Sequence, residues 1–400
     1  MILKIDTEKA FDTMEWSFLL NILRCFGFSN IWINWINECL SSPTFSVLLN
    51  GNPFGMIKSE RGLRQRDSLS PFLFIIRSEI FARLLQRAEY AGNLQGIKFA
   101  PRCPQITHLQ FADDLLILAK ANTTNVETIL QCLNSYQACS GQKINLSKSE
   151  IIFSKNTNSR LTRDLCNILD LKKIDSSIKH LGLPLELNRA KSTSFNDLVE
   201  KIQNRVSGWK TKILSQAARS TFITSVVASI PSYTMTTLQL PKKTCKKIGF
   251  ILCNFWWGSQ TDKRPLCLKS LKSICIPKSY GGLRFRHTSD TNKALIAKLG
   301  WSMVAEVDKS WVSILNSKYL HGSNFMSASI PSTSSWLWKG ILNTRDLLKI
   351  GTCTIIGNDH HTTILDSLWI PSLEGFILIP INPCPTNIHR VSGLISPTTF

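Results

Sequence analysis

The sequence predicts an α+β protein in which an antiparallel sheet backed by helices is followed by a mostly helical region. Three observations lead there. Short runs of alternating apolar and polar residues recur over the first 155 residues, separated by helical stripes and turn signals. From about residue 190 these runs give way to helical patterns such as "SFNDLVEKIQNRVSGWKTKIL" and "AARSTFITSVVASI". The charge balance also shifts: residues 1–170 carry 18 Lys and Arg against 15 Asp and Glu, whereas residues 171–349 carry 28 against nine. A boundary near residue 185 therefore divides a region over 1–185 from a basic, helix-rich region over 186–350. Over 351–400 charge nearly vanishes and Pro, Ile and Thr dominate, which leaves a weakly defined tail.

In chain order, "MILKID" alternates into a short strand ending at Asp6. Asp12 with Glu15 three residues later has the form of a capping box, and Trp16, Leu19, Leu20 and Leu23 then give a helical stripe closed by Gly27. A second helix carries Trp32, Trp35, Ile36 and Cys39. In "TFSVLLNGNPFGMIKSE", Asn50-Gly51 between two strand-like runs signals a hairpin. Residues 68–88 form a helix with Pro71 in its first turn, where a missing N–H costs little. "HLQFADDLLILAK" reads as a hairpin with the two aspartates at or near its tip, "TTNVETILQCLNSYQACSG" as a helix ending at Gly141, and "KINLSKSEIIFS" as a strand.

Composition bounds the function. A chain of 400 residues with 43% hydrophobic and 18% charged residues folds around cores. A net charge of +20 points to a polyanionic partner. The longest apolar runs, "PFLFII" and "IGFILCNFWWG", stop well short of the ~20 residues that a membrane span needs, so nucleic acid is the expected polyanion and no membrane is expected. The twelve cysteines form no CxxC pair and no tight cluster with histidine, and no signal peptide opens the chain. That pattern fits reduced thiols inside a cell, with the nucleus left open as the compartment.

Asp113 and Asp114 stand side by side in an otherwise apolar run. A solvated hairpin tip is one reading. The other is a divalent metal site, where Mg²⁺ offsets the repulsion of the two carboxylates and keeps positions open for phosphate. Asp6, delivered to the end of another strand, supplies a third carboxylate for the second reading.

"LKIDTEKAFDTMEW", "GLRQRDSLSPFLF", "FADDLLIL" and "INLSKSEIIFS", in this order, resemble the palm of reverse transcriptases from plant non-LTR retrotransposons of the long interspersed type. Downstream, "HLGLPL", "SGWKTKILSQAARSTFITSVVASIPSYTM", "NFWWG" and "YGGLRF" resemble the same elements beyond the palm, with weaker similarity in "IGNDHHTTILDSLWIP". The resemblance implies a polymerase palm over 1–185 and a thumb-like region over 186–350. It implies an RNA-directed DNA polymerase in which Asp6, Asp113 and Asp114, with the carbonyl of Ile5, hold two Mg²⁺ ions. Its partners would be an RNA template, a DNA primer and deoxynucleoside triphosphates. Phe11 matches the ring that excludes a 2′-hydroxyl, and Gln65 with Arg64 falls where the incoming nucleotide is contacted. Lys148 matches the general acid for pyrophosphate. Leu181 and Gly182 in "HLGLPL" fall on the hairpin that grips the primer.

Departures from the family pattern accompany these matches. Where the pattern runs Gln-Gly-Asp-Pro, this chain has Gln65, Arg66, Asp67 and Ser68. Arg66 puts a long cation where a glycine lets backbone approach the nucleotide. Arg77 interrupts a helix whose neighbouring positions are apolar, where burial without a partner is costly. The chain also starts at the first catalytic strand, so the expectation is a copy truncated at its N-terminus, with most of the fingers, the endonuclease and any RNase H outside it. A first strand at a chain end is expected to fray. Beside the polymerase stand two alternatives, a catalytically silent remnant that binds nucleic acid and a gene relic without a role.

Overall fold

The computed structural model describes residues 1–171, 173, 179–185, 187, 190–208, 213–258, 267–329, 331–353, 355–356, 362–365, 369–373, 378 and 389–394. It is a mixed helix-and-sheet protein of two compact units, Met1–Glu186 and Leu187–Phe400. Most of the expected tail lies outside the described residues, as do 209–212 in the long helical motif and much of "IGNDHHTTILDSLWIP".

The first unit is built on a four-stranded antiparallel sheet. Its strands are β1 (Ile2–Ile5), β5 (His108–Phe111), β6 (Asp114–Leu118) and β8 (Glu150–Ile152), in the order β5-β6-β1-β8. Short pairs complete the strands: β2 (Thr7–Glu8) with β7 (Lys143–Ile144), β3 (Thr44–Leu49) with β4 (Asn52–Lys58), and β9 (Lys179–His180) with β10 (Leu183–Pro184). The helices are α1 (Trp16–Cys25), α2 (Asn30–Ser41), α3 (Ser70–Tyr90), α4 (Thr123–Ser140) and α5 (Ser159–Leu169). Alternation along β1 and β8 turns Leu3, Ile5 and Ile151 to one face, with Leu115 and Ile117 of β6 beside them. There they pack with Phe81 and Leu85 of α3, Ile129 and Leu133 of α4, and Leu165 of α5. A second core joins Leu19 and Leu23 of α1, Ile33 and Ile36 of α2, and Leu73 and Phe74 of α3.

Several sequence expectations change in three dimensions. β1 does not hang at an edge; it pairs with β6 and β8, and Met1 is pinned by its ammonium donating to the Ala119 carbonyl at 2.7 Å. The capping box before α1 does not form. Glu15 is the N-cap without a side-chain bond, Asp12 accepts from Gln65, and Glu15 pairs with Arg61 at 3.8 Å. "KINLSKSEIIFS" is two short strands, because Asn145–Ser149 turns between them. The Asn50-Gly51 hairpin forms with both residues at positive φ, the type I′ geometry that matches strand twist. Its strands are exposed throughout.

The second unit holds α6 (Asn196–Ser207), α7 (Gln216–Ser225), α8 (Ser232–Thr237), α9 (Lys242–Trp256), α10 (Leu271–Cys275), α11 (Thr288–Val304), α12 (Ser310–Leu315), α13 (Trp336–Leu342) and α14 (Arg345–Gly351). One core gathers Ile202, Ile223, Ile248, Leu252, Trp256 and Phe285; another surrounds the fully buried Trp338, on which Tyr319 stacks at 4.8 Å. Asn292 of α11 pins the approach to α9. Its amide donates to the carbonyls of Met235 and Leu238 and accepts from the Leu240 N–H, so its buried polar atoms are satisfied.

Candidate functional site

The register of the central sheet sets the geometry of the aspartates. β1 and β6 pair as Ile2↔Leu118 through Ile5↔Leu115. Asp6 follows the last of these pairs on the β1 side, and Asp114 opens β6 just before it. Like charges close together on such a pair repel. Both aspartates are half-buried, on the face opposite Leu3 and Ile5.

The backbone of Asp6 is fixed from the following turn. Its N–H donates to the Ser149 hydroxyl at 3.1 Å, and its carbonyl accepts from the Asn145 N–H at 2.9 Å. Ser149 is buried and donates in turn to the Asn145 carbonyl at 2.8 Å, which closes the clamp. Lys148 belongs to the same turn, with its N–H on Asn145 and its side chain exposed. Nothing in the sequence points to Asn145 and Ser149, whose part in holding Asp6 is made by backbone contacts that no residue type announces.

The acidic doublet is divided by its turn. Ala112 and Asp113 link Phe111 to Asp114, with Ala112 at φ 50°. Asp113 is exposed and borders a small cavity of about 30 Å³ on the helix side of the sheet, which neither Asp6 nor Asp114 lines. Among the described residues no group of three His, Cys, Asp or Glu side chains is arranged to hold a metal ion. Asp6 and Asp114 thus adjoin the last β1–β6 pair, whereas Asp113 at the bend borders the helix-side cavity.

Arg77 lines that same cavity. It is 3% exposed, its Nε and Nη1 lack hydrogen-bond partners, and its guanidinium lies 4.3 Å from the centre of the Phe74 ring. Burial pushes its pKa down, opposed by the Tyr136 phenol, which burial pushes up. Thr7, Tyr136 and Gln142 each bring another unpartnered buried oxygen to the same walls.

The hairpin of β9 and β10 stands near the Asp114 carboxylate. Leu181 and Gly182 form its two-residue turn, at φ 50° and 77°, so the glycine supplies a conformation that a side chain resists. Lys4 donates from its Nζ to the Lys179 carbonyl at 3.2 Å, which ties the hairpin to β1. The neighbouring His180 has its pKa lowered by burial; Asp114 opposes that shift and Lys4 adds to it.

A larger cavity of about 600 Å³ is lined by Arg64, Gln65 and Arg66 together with Asp12, Trp16 and Arg61. Gln65 donates to Asp12 at 3.3 Å and Arg64 to the Cys39 carbonyl at 3.4 Å. Phe11 is absent from this lining. Half-buried, it stacks on Phe74 with ring centres 4.5 Å apart, against the second core of the unit. Arg66 has φ 65°, so an arginine holds the left-handed conformation that suits glycine. The sequence flagged the residue but not its backbone angle.

The family described as reverse transcriptase (RNA-dependent DNA polymerase) matches residues 1–216. A putative ribonuclease H protein of Arabidopsis thaliana is 29% identical over 239 residues, which are 52% of this chain and 38% of that protein. An uncharacterized mitochondrial protein of the same plant is 32% identical over 155 residues, covering 38% of this chain and 99% of the relative. A retrovirus-related Pol polyprotein from the type-1 retrotransposable element R2 of Popillia japonica is 28% identical over 160 residues, 40% of this chain and 25% of the polyprotein. The chain thus spans well under half the length of the first of these relatives.

Proposed function

The chain belongs to the reverse transcriptase (RNA-dependent DNA polymerase) family, and from that premise we propose that it is an RNA-directed DNA polymerase domain of a non-LTR retrotransposon. Its first unit is read as the palm, and the helices after residue 186 as a thumb-like region. Asp6, Asp113 and Asp114, with the Ile5 carbonyl, are the metal-binding groups, and two Mg²⁺ ions are the proposed cofactor. The observation that supports this is the β1–β6 register, whose last pair, Ile5 with Leu115, adjoins Asp6 and Asp114. Two such carboxylates fit a hard divalent cation, which takes oxygen ligands and offsets their repulsion. When bound, such ions lower the pKa of a primer 3′-hydroxyl and stabilise the charge of a leaving pyrophosphate.

The protein's own residues do the rest of the work in this reading. The Asn145–Ser149 clamp holds the Asp6 backbone so that its carboxylate keeps one position. Lys148, exposed on that same turn, donates the proton to pyrophosphate. Arg64 and Gln65 meet the deoxynucleoside triphosphate from the neighbouring cavity, and Leu181 and Gly182 steady the primer end; Phe11, stacked on Phe74, does not line that cavity. The template is RNA, carried with the primer as a duplex.

A second reading, nucleic-acid binding without catalysis, is favoured by Arg66, a long cation with a left-handed φ on the wall of the proposed nucleotide cavity. Primer extension on an RNA template with Mg²⁺ separates the two. Incorporation that is lost in Asp6→Asn and Asp114→Asn supports the polymerase. Salt-sensitive binding of the primer–template with no incorporation, in the native chain and in Arg66→Gly alike, supports the second.

A further inference from the structure

The second unit contains a cleft of about 760 Å³. Five cations line it: Lys242, Lys246, Lys278, Arg284 and Arg286. No Asp or Glu lines it, and none of the five forms an ion pair with a described residue. The nearest acid in sequence, Asp290, is engaged with His287 at 3.4 Å and lies outside the lining. Five uncompensated cations on a concave wall cost self-repulsion that a balanced surface avoids, and an anion relieves it.

Local structure explains how the cations arrive. Lys242 and Lys246 are one helical turn apart on α9 and stand on the same side of it. The "YGGLRF" segment supplies the opposite wall. Gly282 lets it fold back on the preceding strand of chain, since a Cβ there would meet the Ile276 carbonyl; Leu283 and Arg284 then donate to the carbonyls of Ile274 and Ile276. Phe285 is buried and meets Trp256 edge-on at 5.4 Å, so it anchors the segment while Arg284 and Arg286 on either side stay exposed. Between these walls runs an apolar floor that includes Ile223, Leu252 and Leu271.

We infer that this cleft is a binding site for an unpaired nucleic-acid strand, with phosphodiester groups on the cationic rims and bases against the apolar floor. Cations spread over three segments suit a row of phosphates better than one phosphate group, which asks for convergent donors. The recess has the size of a small-molecule pocket, so it takes a few nucleotides of one strand and not a duplex. The site stands on the second unit's own residues and is independent of whether Asp6 and Asp114 hold metal.

The test uses the full chain and a short fluorescein-labelled oligothymidylate, read by anisotropy across a salt series. Each phosphate contact on a single strand contributes roughly 0.7 to the slope of log affinity against log salt. Lys246→Ala with Arg286→Ala is therefore expected to lower the slope by roughly 1.4 and weaken binding about tenfold or more. Lys293→Ala with Lys309→Ala removes equal charge from exposed positions outside the lining and is expected to change affinity less than about twofold. Lys246→Arg with Arg286→Lys keeps the charges and should keep the affinity, and matching melting curves guard against misfolding. Equal weakening by the two alanine pairs overturns the site in favour of the general field. Tripolyphosphate binding to the cleft while the oligonucleotide does not overturns the strand as ligand. An Asp113→Asn chain that loses primer extension yet binds the oligonucleotide as before keeps this inference apart from the polymerase reading.

Discussion

Around Asp6 and Asp114 the first unit sets acids among a lysine, a histidine and hydrogen-bonding turn residues, whereas the cleft of the second unit gathers five cations and no carboxylate. Neither the two aspartates nor the five cations form an ion pair among the described residues, and the two groups are of opposite sign. Neighbouring carboxylates fit a small cation with few ligand positions; a cationic trough fits an extended anion. The sequence-wide imbalance, 28 basic against nine acidic residues over 171–349, is the coarse trace of the second arrangement. The near balance of the first 170 residues hides the other.

The sharpest way to test the contrast is to neutralise one side of it. Asp6→Asn or Asp114→Asn is expected to cost several kcal/mol of transition-state stabilisation, about a thousandfold or more in single-turnover primer extension. Oligothymidylate affinity should stay within about twofold, because the altered charge is far in sequence from the cationic cleft and surface terms are screened by salt. Loss of both activities together would show that the two regions are one functional surface, and the comparison would fail.

Arg77 is an exception inside the first unit, a cation buried with no carboxylate partner among the described residues. Replacing a buried, unpaired charge by an apolar side chain of similar length removes a desolvation cost. Arg77→Met is expected to stabilise the chain by about 1–3 kcal/mol in urea denaturation, with the Phe74 contact retained by the thioether. Destabilisation by that change would mean that Arg77 has an anionic partner in solution. Arg66→Gly follows with a smaller gain, up to about 1 kcal/mol, since a left-handed φ costs an arginine roughly 1–2 kcal/mol and glycine returns part of that as chain entropy.

These residues show where the fold was legible. Period-two runs, Asn50-Gly51 and the aspartate doublet next to the Ala112-Asp113 turn marked the hairpins, and Gly141 marked the end of α4, because each depends on local chemistry. The capping box at Asp12 was misread because Gln65, 53 residues away, captures the carboxylate. The split in "KINLSKSEIIFS" was hidden because Asn145 is held by the Asp6 carbonyl, a bond made only once the sheet exists. The cationic cleft was visible as net charge but not as a place, since Lys242, Lys278 and Arg286 meet only through the fold-back at Gly282.

The smallest expected effect concerns pH, and it belongs to the first unit. Burial lowers the pKa of His108, opposed by Glu89 and Glu79, and burial likewise lowers that of His180 despite Asp114. Above the ordinary histidine value of about 6.5 both are neutral folded and unfolded, so they contribute no pH dependence. As pH falls below it, the unfolded chain takes up protons first, and stability is lost until the folded-state values are passed. Urea midpoints are therefore expected to fall on acidification through that window, and His108→Gln should flatten part of the fall. A midpoint that rises on acidification, or a slope unchanged in His108→Gln and His180→Gln together, would place the titrating groups elsewhere. The hairpin's packing near Asp114 would then have to be held by the Lys4 to Lys179 bond without the histidine.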